Sequence, residues 1–228
     1  MGPVAGKIYL VPTPIGNMGD MTARAVEVLA AADIVACEDT RHSGRFLKKL
    51  GLKKKLVSYH DFNEASRARK LIGQISQGLT VAVITDGGSP GISDPAYRVV
   101  RAAIDNDIQV VPLPGPTAII PALTASGLAT DRFFFEGFLP HKTAARKKRL
   151  EKLTDLEHTL VFFESPHRVG KTLEDILAVL GNRPMCLARE VSKKFEEFVR
   201  GSTGEVCEQV KAKPPKGEIV IVVAGHRQ

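Results

Sequence analysis

Apolar positions follow two alternating rhythms along this chain. Short runs rich in β-formers, such as Ile8-Tyr9-Leu10-Val11, alternate with stretches whose apolar residues recur every three or four positions, such as Ala25, Val26, Leu29 and Ala32. The first rhythm predicts strands and the second amphipathic helices. In order, strands are expected over Lys7–Pro12, Asp33–Cys37, Leu56–Tyr59, Leu79–Thr85 and Gln109–Leu113. Between them the pattern predicts helices over Thr22–Ala32, with Thr22 as its cap, Ser43–Leu50, Glu64–Ser76 and Pro95–Asp105. The fourth strand is apolar almost throughout, as expected of a strand buried on both faces. This strand–helix alternation predicts a mostly parallel sheet covered by helices on both sides.

The cluster Pro112, Pro114, Gly115, Pro116 interrupts the pattern and marks the expected domain junction. The second half resumes with helices over Thr117–Ala125, Thr143–Leu153, Val169–Leu180 and Thr203–Lys211. Strands are expected over Phe133–Phe138, Thr159–Glu164, Met185–Glu190, Phe195–Arg200 and Glu218–Ala224. Two of these strands follow each other closely, so this half is expected to hold a mixed sheet. The fold class is α/β, with two α/β domains over residues 1–114 and 115–228.

Composition narrows the class without naming a function. The chain has 228 residues, 43% hydrophobic and 25% charged, which is ordinary globular composition. Its net charge of +7 is compatible with a polyanionic partner, and equally with none. Cys37, Cys186 and Cys207 are odd in number and far apart. That argues against a disulfide framework or zinc site and for a reducing, cytoplasmic setting. No apolar run is long enough to span a bilayer and the first residues do not read as a secretion signal, so a soluble, unexported protein is expected.

Ligands of open α/β sheets sit at the carboxyl ends of strands, so the segments after each strand come next. They are Pro12-Thr13-Pro14-Ile15-Gly16-Asn17, Glu38-Asp39-Thr40-Arg41-His42-Ser43, His60-Asp61-Phe62-Asn63-Glu64, Asp86-Gly87-Gly88-Ser89-Pro90-Gly91-Ile92-Ser93-Asp94-Pro95 and Pro114-Gly115-Pro116-Thr117-Ala118. One or two such loops would pass as turns, but five together point to a site. The glycines of the fourth let backbone approach a ligand closely. Neither a P-loop nor a G-x-G-x-x-G dinucleotide fingerprint is present. Asp86 reads as functional, whereas Asp94 reads equally as a cap for the next helix. Glu38 and Asp39 beside Arg41 offer a general base and a phosphate or carboxylate clamp; the plainer reading is a local Asp39–Arg41 ion pair with a cap at Thr40 or Ser43. His42 and His60 fit a structural or a catalytic role. No metal-ligand spacing and no G-x-S-x-G elbow appears.

The helix at Thr143–Leu153 carries Arg146, Lys147, Lys148, Arg149 and Lys152, with Glu151 as its one carboxylate, and His141 and Lys142 precede it. The cations are expected on a broad face opposite Leu150 and Leu153, laid against a phosphate backbone. Lys53, Lys54 and Lys55 add to the same field. The runs Phe133-Phe134-Phe135 and Phe162-Phe163 are read as core strands rather than base-stacking platforms.

The loops, taken in order, resemble the bacterial ribosomal RNA small-subunit methyltransferase I family, of the tetrapyrrole-methylase fold. The resemblance spans essentially the whole chain and rests on Pro12-Thr13-Pro14-Ile15-Gly16-Asn17, Glu38-Asp39-Thr40-Arg41-His42, Asp86 to Pro95, Pro114-Gly115-Pro116 and Phe163-Glu164-Ser165-Pro166-His167-Arg168. Cys37 and the pair Gly88-Ser89 are small departures from the family pattern. The resemblance implies two α/β domains with S-adenosylmethionine in the cleft between them. It implies methylation of a cytidine 2′-hydroxyl in the decoding region of small-subunit (16S) ribosomal RNA, by a homodimer that needs no metal and no membrane. The expected cofactor residues are Pro12, Asp86, Gly87, Gly88, Ser89, Pro90, Gly91, Ile92, Pro116, Thr117 and Ala118. Glu38, Asp39 and Arg41 are the expected catalytic residues, and Arg41, Arg146, Lys147, Arg149 and Lys152 the RNA contacts. The rival expectations are a tetrapyrrole-type small-molecule methyltransferase on the same fold, and an RNA-binding protein without enzymatic activity.

Overall fold

The computed structural model of the chain describes residues 6–60 and 63–226. Asp61 and Phe62, part of the loop read after the third strand, lie outside them. Two units follow each other, Met1–Thr117 and Ala118–Gln228.

The first unit is built on strands β1 (Lys7–Leu10), β2 (Ile34–Cys37), β3 (Lys55–Ser58), β4 (Val81–Val83) and β5 (Gln109–Pro112). They form one sheet in the order β3-β2-β4-β1-β5, and every pairing is parallel. The alternation of side chains explains why its inner strands are apolar at successive positions. Ile34, Ala36, Val81 and Val83 face a core shared with helices α3 (Glu64–Ser76) and α4 (Tyr97–Ile104). Val35, Cys37, Ala82 and Ile84 face the opposite core, against α1 (Ala23–Ala31) and α2 (Thr40–Lys49). A strand buried on both faces has no polar side to display.

Helix starts show which local signals acted. Thr22 caps α1, its hydroxyl accepting from Ala25 N–H at 3.2 Å. At the start of α4 stands Ala96, which has no capping side chain, so Asp94 does not occupy the cap position. Distant groups take over the exposed amides: Glu64 Oε1 accepts from Arg98 N–H at 3.2 Å, and the Tyr59 hydroxyl accepts from Val99 N–H at 3.1 Å. Tyr59 in turn donates to Glu64 Oε1 at 2.9 Å. Burial and the neighbouring Glu64 carboxylate push the Tyr59 hydroxyl well above its ordinary range, so it stays a donor.

The second unit holds β6 (Phe133–Phe138), β7 (Thr159–Glu164), β8 (Pro184–Arg189), β9 (Glu197–Ser202) and β10 (Ile219–Val223). Their order is β6-β7-β10-β8-β9, with β6 and β7 parallel and the other pairs antiparallel. It is the mixed sheet expected from closely spaced strands. Helices α6 (Thr143–Glu151), α7 (Val169–Leu180) and α8 (Thr203–Ala212) pack on one face, joining Leu150, Leu173, Ile176 and Val206 to Phe162, Leu187 and Ile221. Helix α5 (Ile119–Thr124) opens the unit. Phe162 is fully buried as expected, but Phe133, expected in the core, is 40% exposed, and Phe138 at the other end of β6 is 57% exposed. The reason is that β6 is an edge strand. All three cysteines are free and buried, and burial raises each thiol's pKa. No helix among the described residues is long and apolar enough to cross a membrane.

Helix α6 corrects the expected distribution of its cations. Arg146 lies four residues before Leu150 and seven before Leu153, so all three share the inward face rather than opposing one another. Arg146 is 3% exposed; its Nη2 lies 2.6 Å from Asp175 Oδ2 on α7, and its Nη1 donates to the His141 carbonyl at 3.2 Å. Breaking such a pair leaves a buried carboxylate with the longer, 3.5 Å contact from Lys147. Arg146→Ala is expected to lower unfolding free energy by about 3–5 kcal/mol, read by urea denaturation, while Lys148→Ala on the solvent side changes it by less than about 0.5 kcal/mol.

Candidate functional site

In an all-parallel sheet every loop that follows a strand emerges at the same edge. Here β4, β1 and β5 are neighbours, and the loops after them are joined directly. Thr13 N–H donates to the Gly88 carbonyl at 3.0 Å and Gly88 N–H to the Thr13 carbonyl at 2.8 Å, a two-bond ladder between the first and fourth loops. The Thr13 hydroxyl donates to the Thr85 carbonyl at 3.0 Å. Ser89 Oγ donates to the Pro116 carbonyl at 3.3 Å, bringing in the fifth loop. Gly115 sits so close to Pro12 that a Cβ there would lie 2.8 Å from the proline Cβ. Gly88 and Gly91 have φ of 91° and 86°, in the region that favours glycine, and Ser93 is held at 62°.

These contacts join Pro12, Thr13, Gly88 and Ser89 to Gly115 and Pro116; Asp86, Gly87, Pro90, Gly91, Ile92 and Thr117 lie on the same loops of the first unit, and Ala118 begins the second. Gly91 and Ile92 are exposed and Asp86 faces solvent. Between Pro12 and Asn17, Asp86 and Asp94, and Leu113 and Thr117 there are two carboxylates and no Lys, Arg or His. Exposed backbone beside carboxylates, with no cation in these loops, suits a ligand of net positive charge.

The second loop resolves differently from the sequence reading. Helix α2 begins at Thr40, three residues earlier than expected, because Asp39 is itself the cap. Its Oδ1 accepts from Arg41 N–H at 2.7 Å and from His42 N–H at 3.3 Å. Those amides, the Arg41 one first, hold its carboxyl below the ordinary carboxylate range. The Arg41 guanidinium lies 3.6 Å from Asp39 Oδ1 and is 90% exposed. The ion pair of the plainer reading is therefore present, with the cap at Asp39 rather than Thr40 or Ser43. Glu38 is half-buried beside it. His60 is turned into its own loop, with Nε2 lying 3.0 Å from Asn63 Nδ2.

The cations expected on one surface of α6 divide into two groups. Arg146 is internal, as described. Arg149 forms a two-pronged pair with Glu136, its Nη2 donating to Oε2 at 2.6 Å. Lys147 is partly engaged by Asp175 at 3.5 Å, whereas Lys148 and Lys152 are exposed. In the Phe163–Arg168 motif, Glu164 is buried and accepts from Ser165 N–H at 2.7 Å, from Thr172 Oγ1 at 2.5 Å and from Arg168 Nη2 at 3.3 Å. Arg168 also donates to the Leu139 carbonyl at 2.8 Å. These two residues fix the turn into α7.

Beside this turn lies an open depression of about 400 Å³ lined by Phe138, Glu164, Ser165, Pro166, Glu190 and Lys193, among others. The sequence reading passed over Glu190 and Lys193, which sit between β8 and β9. Glu190 Oε1 accepts from Glu218 N–H at 3.0 Å and from Lys193 Nζ at 3.1 Å. Glu190 and Ser192 are held at φ of 49° and 68°, a strain no periodicity announces. The only sequence signal was Gly217, whose Cβ would lie 2.3 Å from Glu190 Cδ.

Comparison with known proteins gives a consistent result. The model of the tetrapyrrole (corrin/porphyrin) methylases matches residues 7–207. Ribosomal RNA small subunit methyltransferase I of Micromonospora olivasterospora is 48% identical over 97% of this chain and 71% of its own. The protein of that name from Escherichia coli O157:H7 is 46% identical over 97% of this chain and 79% of its own. Among solved structures, uroporphyrin-III C-methyl transferase from Thermus thermophilus complexed with S-adenyl homocysteine aligns with a TM-score of 0.65 and 21% identity, over 95% of this chain and 97% of that one.

The Glu190 contacts generate a pH-dependent outcome. The Glu218 amide and the Lys193 ammonium lower its folded-state pKa. A lowered carboxyl pKa adds stability above the unfolded value of about 4.3 and loses it as pH falls through the folded value. The stability difference between the parent protein and Glu190→Gln, from urea midpoints, is therefore expected to be larger at pH 7 and to shrink towards pH 3.

Proposed function

The chain belongs to the tetrapyrrole methylase family and, within it, to the ribosomal RNA small subunit methyltransferase I proteins, and from that membership we propose that it transfers a methyl group from S-adenosylmethionine to the 2′-hydroxyl of a cytidine in the decoding region of small-subunit ribosomal RNA. The observation that carries the cofactor assignment is the trio of loops joined through Thr13, Gly88, Ser89 and Pro116. S-Adenosylmethionine bears a sulfonium and an ammonium against one carboxylate, and these loops offer Asp86 and Asp94 with no cation. Pro12, Asp86, Gly87, Gly88, Ser89, Pro90, Gly91, Ile92, Pro116 and Thr117 of the first unit are the residues proposed to hold it. The cofactor supplies an activated methyl group; the reaction needs neither metal nor covalent enzyme intermediate.

The protein's part is alignment and proton removal. Holding the ribose oxygen in line with the methyl group replaces a bimolecular encounter, an effect that reaches effective molarities of about 10⁵ M. The hydroxyl proton must pass to a base as the bond forms. Asp39 is occupied by two amides and made less basic by them, so between the two acids Glu38 is the proposed acceptor and Asp39 the residue that sets the start of α2. Arg41, extended into solvent, is proposed to hold an RNA phosphate. Lys148 and Lys152, with the partly engaged Lys147, are the α6 cations left to face RNA. A homodimer in the cytoplasm is part of the same proposal.

Two outcomes test this reading. Mass mapping of small-subunit RNA from cells lacking the protein is expected to show one cytidine without its ribose methyl group, restored by purified protein with S-adenosylmethionine after chelation of metals; an unchanged methylation pattern would falsify the assignment. In single-turnover assays, Glu38→Gln is expected to slow methylation by about 10²–10⁴-fold with cofactor affinity unchanged. Asn is as good a cap as Asp, so Asp39→Asn is expected to cost less than about tenfold.

A further inference from the structure

With Arg146 and Arg149 engaged by Asp175 and Glu136, the site of the strongest grip on RNA is open. Helix α2 offers a different surface. Its sequence, TRHSGRFLKK, contains no carboxylate. Arg41, Arg45, Lys48 and Lys49 occupy positions i, i+4, i+7 and i+8. At 3.6 residues per turn they fall within an arc of about 100° and extend over about 12 Å of helix axis. All four are exposed. The opposite face is fixed by burial of Ser43 and Leu47, with Phe46 and Leu50 packed against the core, so the stripe cannot rotate inward. The Arg41–Asp39 contact is the only ion pair the helix makes among the described residues. Lys53 and Lys55, just beyond the helix, are exposed as well.

A helix needing only a solvated face gains from Glu set four residues before Lys or Arg, and loses from like charges at that spacing. Here Arg41 and Arg45 repel each other at i, i+4, and Arg41 also opposes the helix dipole in the first turn. Lys48 and Lys49 suit the dipole and Arg41 has Asp39 beside it, but no carboxylate pairs with Arg45 among the described residues. A row of exposed cations with so little local opposition matches a chain of negative charges laid along it. The row begins at Arg41, three residues after Glu38 of the second strand's loop, and runs away from it along one line.

We propose that α2 is a phosphate track: Arg41, Arg45, Lys48 and Lys49 bind successive phosphodiesters of the RNA strand and lead it to the loop that holds Glu38. This inference rests on ribosomal RNA being the substrate. It concerns the strand's backbone and carries no base specificity, since phosphate contacts position without reading sequence.

The test is binding of small subunits, purified from cells lacking this protein, over a salt series. The parent protein is compared with an Arg45→Gln, Lys48→Gln, Lys49→Gln variant. A control, Arg69→Gln, Lys70→Gln, Lys171→Gln, removes the same charge from exposed positions elsewhere. Each lost phosphate contact with a single strand reduces the slope of log K against log salt by about 0.7, so the α2 variant is expected to lose up to about 2 units. Its S-adenosylmethionine affinity and thermal midpoint should match the parent's, and the control should keep the parent's slope. An α2 variant with the parental slope overturns the track, as does a control that loses as much slope, because the effect would then be one of net charge. In either case the parent still binds small subunits in a salt-dependent way. A parent protein that binds cofactor but no small subunits overturns the substrate assignment, and the track with it.

Discussion

A parallel sheet imposes one condition from which the arrangement of the first unit follows: every strand must run the same way, so every strand ends at the same edge. Parallel neighbours need a crossover connection, supplied here by a helix each time, and those helices bury both faces. Chemistry is thereby excluded from the faces and confined to the edge. The order β3-β2-β4-β1-β5 places the first, fourth and fifth loops side by side although they are remote in sequence. The two hydrogen bonds between Thr13 and Gly88 turn that proximity into a fixed structure.

Charge is distributed with similar consistency. The joined loops carry acids and no bases; α2 carries bases and no acids; α6, with as many Lys and Arg as α2, is held by carboxylates reaching it from β6 and α7. A cation count along a sequence cannot separate these cases, because an arginine answering a buried aspartate and an arginine awaiting a phosphate look alike in one dimension. Periodicity separates them. Arg146 stands at i−4 from Leu150 and i−7 from Leu153, on the apolar stripe, where only a paired cation is tolerated.

Much of the fold was legible because burial writes a periodic signal. The helices at Glu64–Ser76 and Val169–Leu180 and the strands at Phe133–Phe138 and Thr159–Glu164 match their expected bounds. The start of α2 was missed because the cap was looked for at Thr40 or Ser43, whereas the Asp39 side chain takes the first amides of the helix. The exposure of Phe133 and Phe138 depends on β6 being an edge strand, a fact of sheet order that local sequence does not hold. The five loops of the candidate site were legible as Gly- and Pro-rich punctuation. The ladder that joins three of them, and the strained turn at Glu190 and Ser192, arise from contacts between distant segments and have no local signature.

The buried cysteines make the molecule a two-channel reporter of its own breathing. Cys37 belongs to the first unit, in the core between its sheet and α2, while Cys186 and Cys207 belong to the second. A thiol reacts as its thiolate and only when reached, and each of these is hidden and held protonated by burial. Alkylation therefore waits on local opening, and its rate at each position measures how often that unit's core admits solvent. Since the three lie in separate tryptic peptides, one labelling time course resolves the opening of the unit carrying the candidate site from that of the unit carrying α6, with no engineered probe in either.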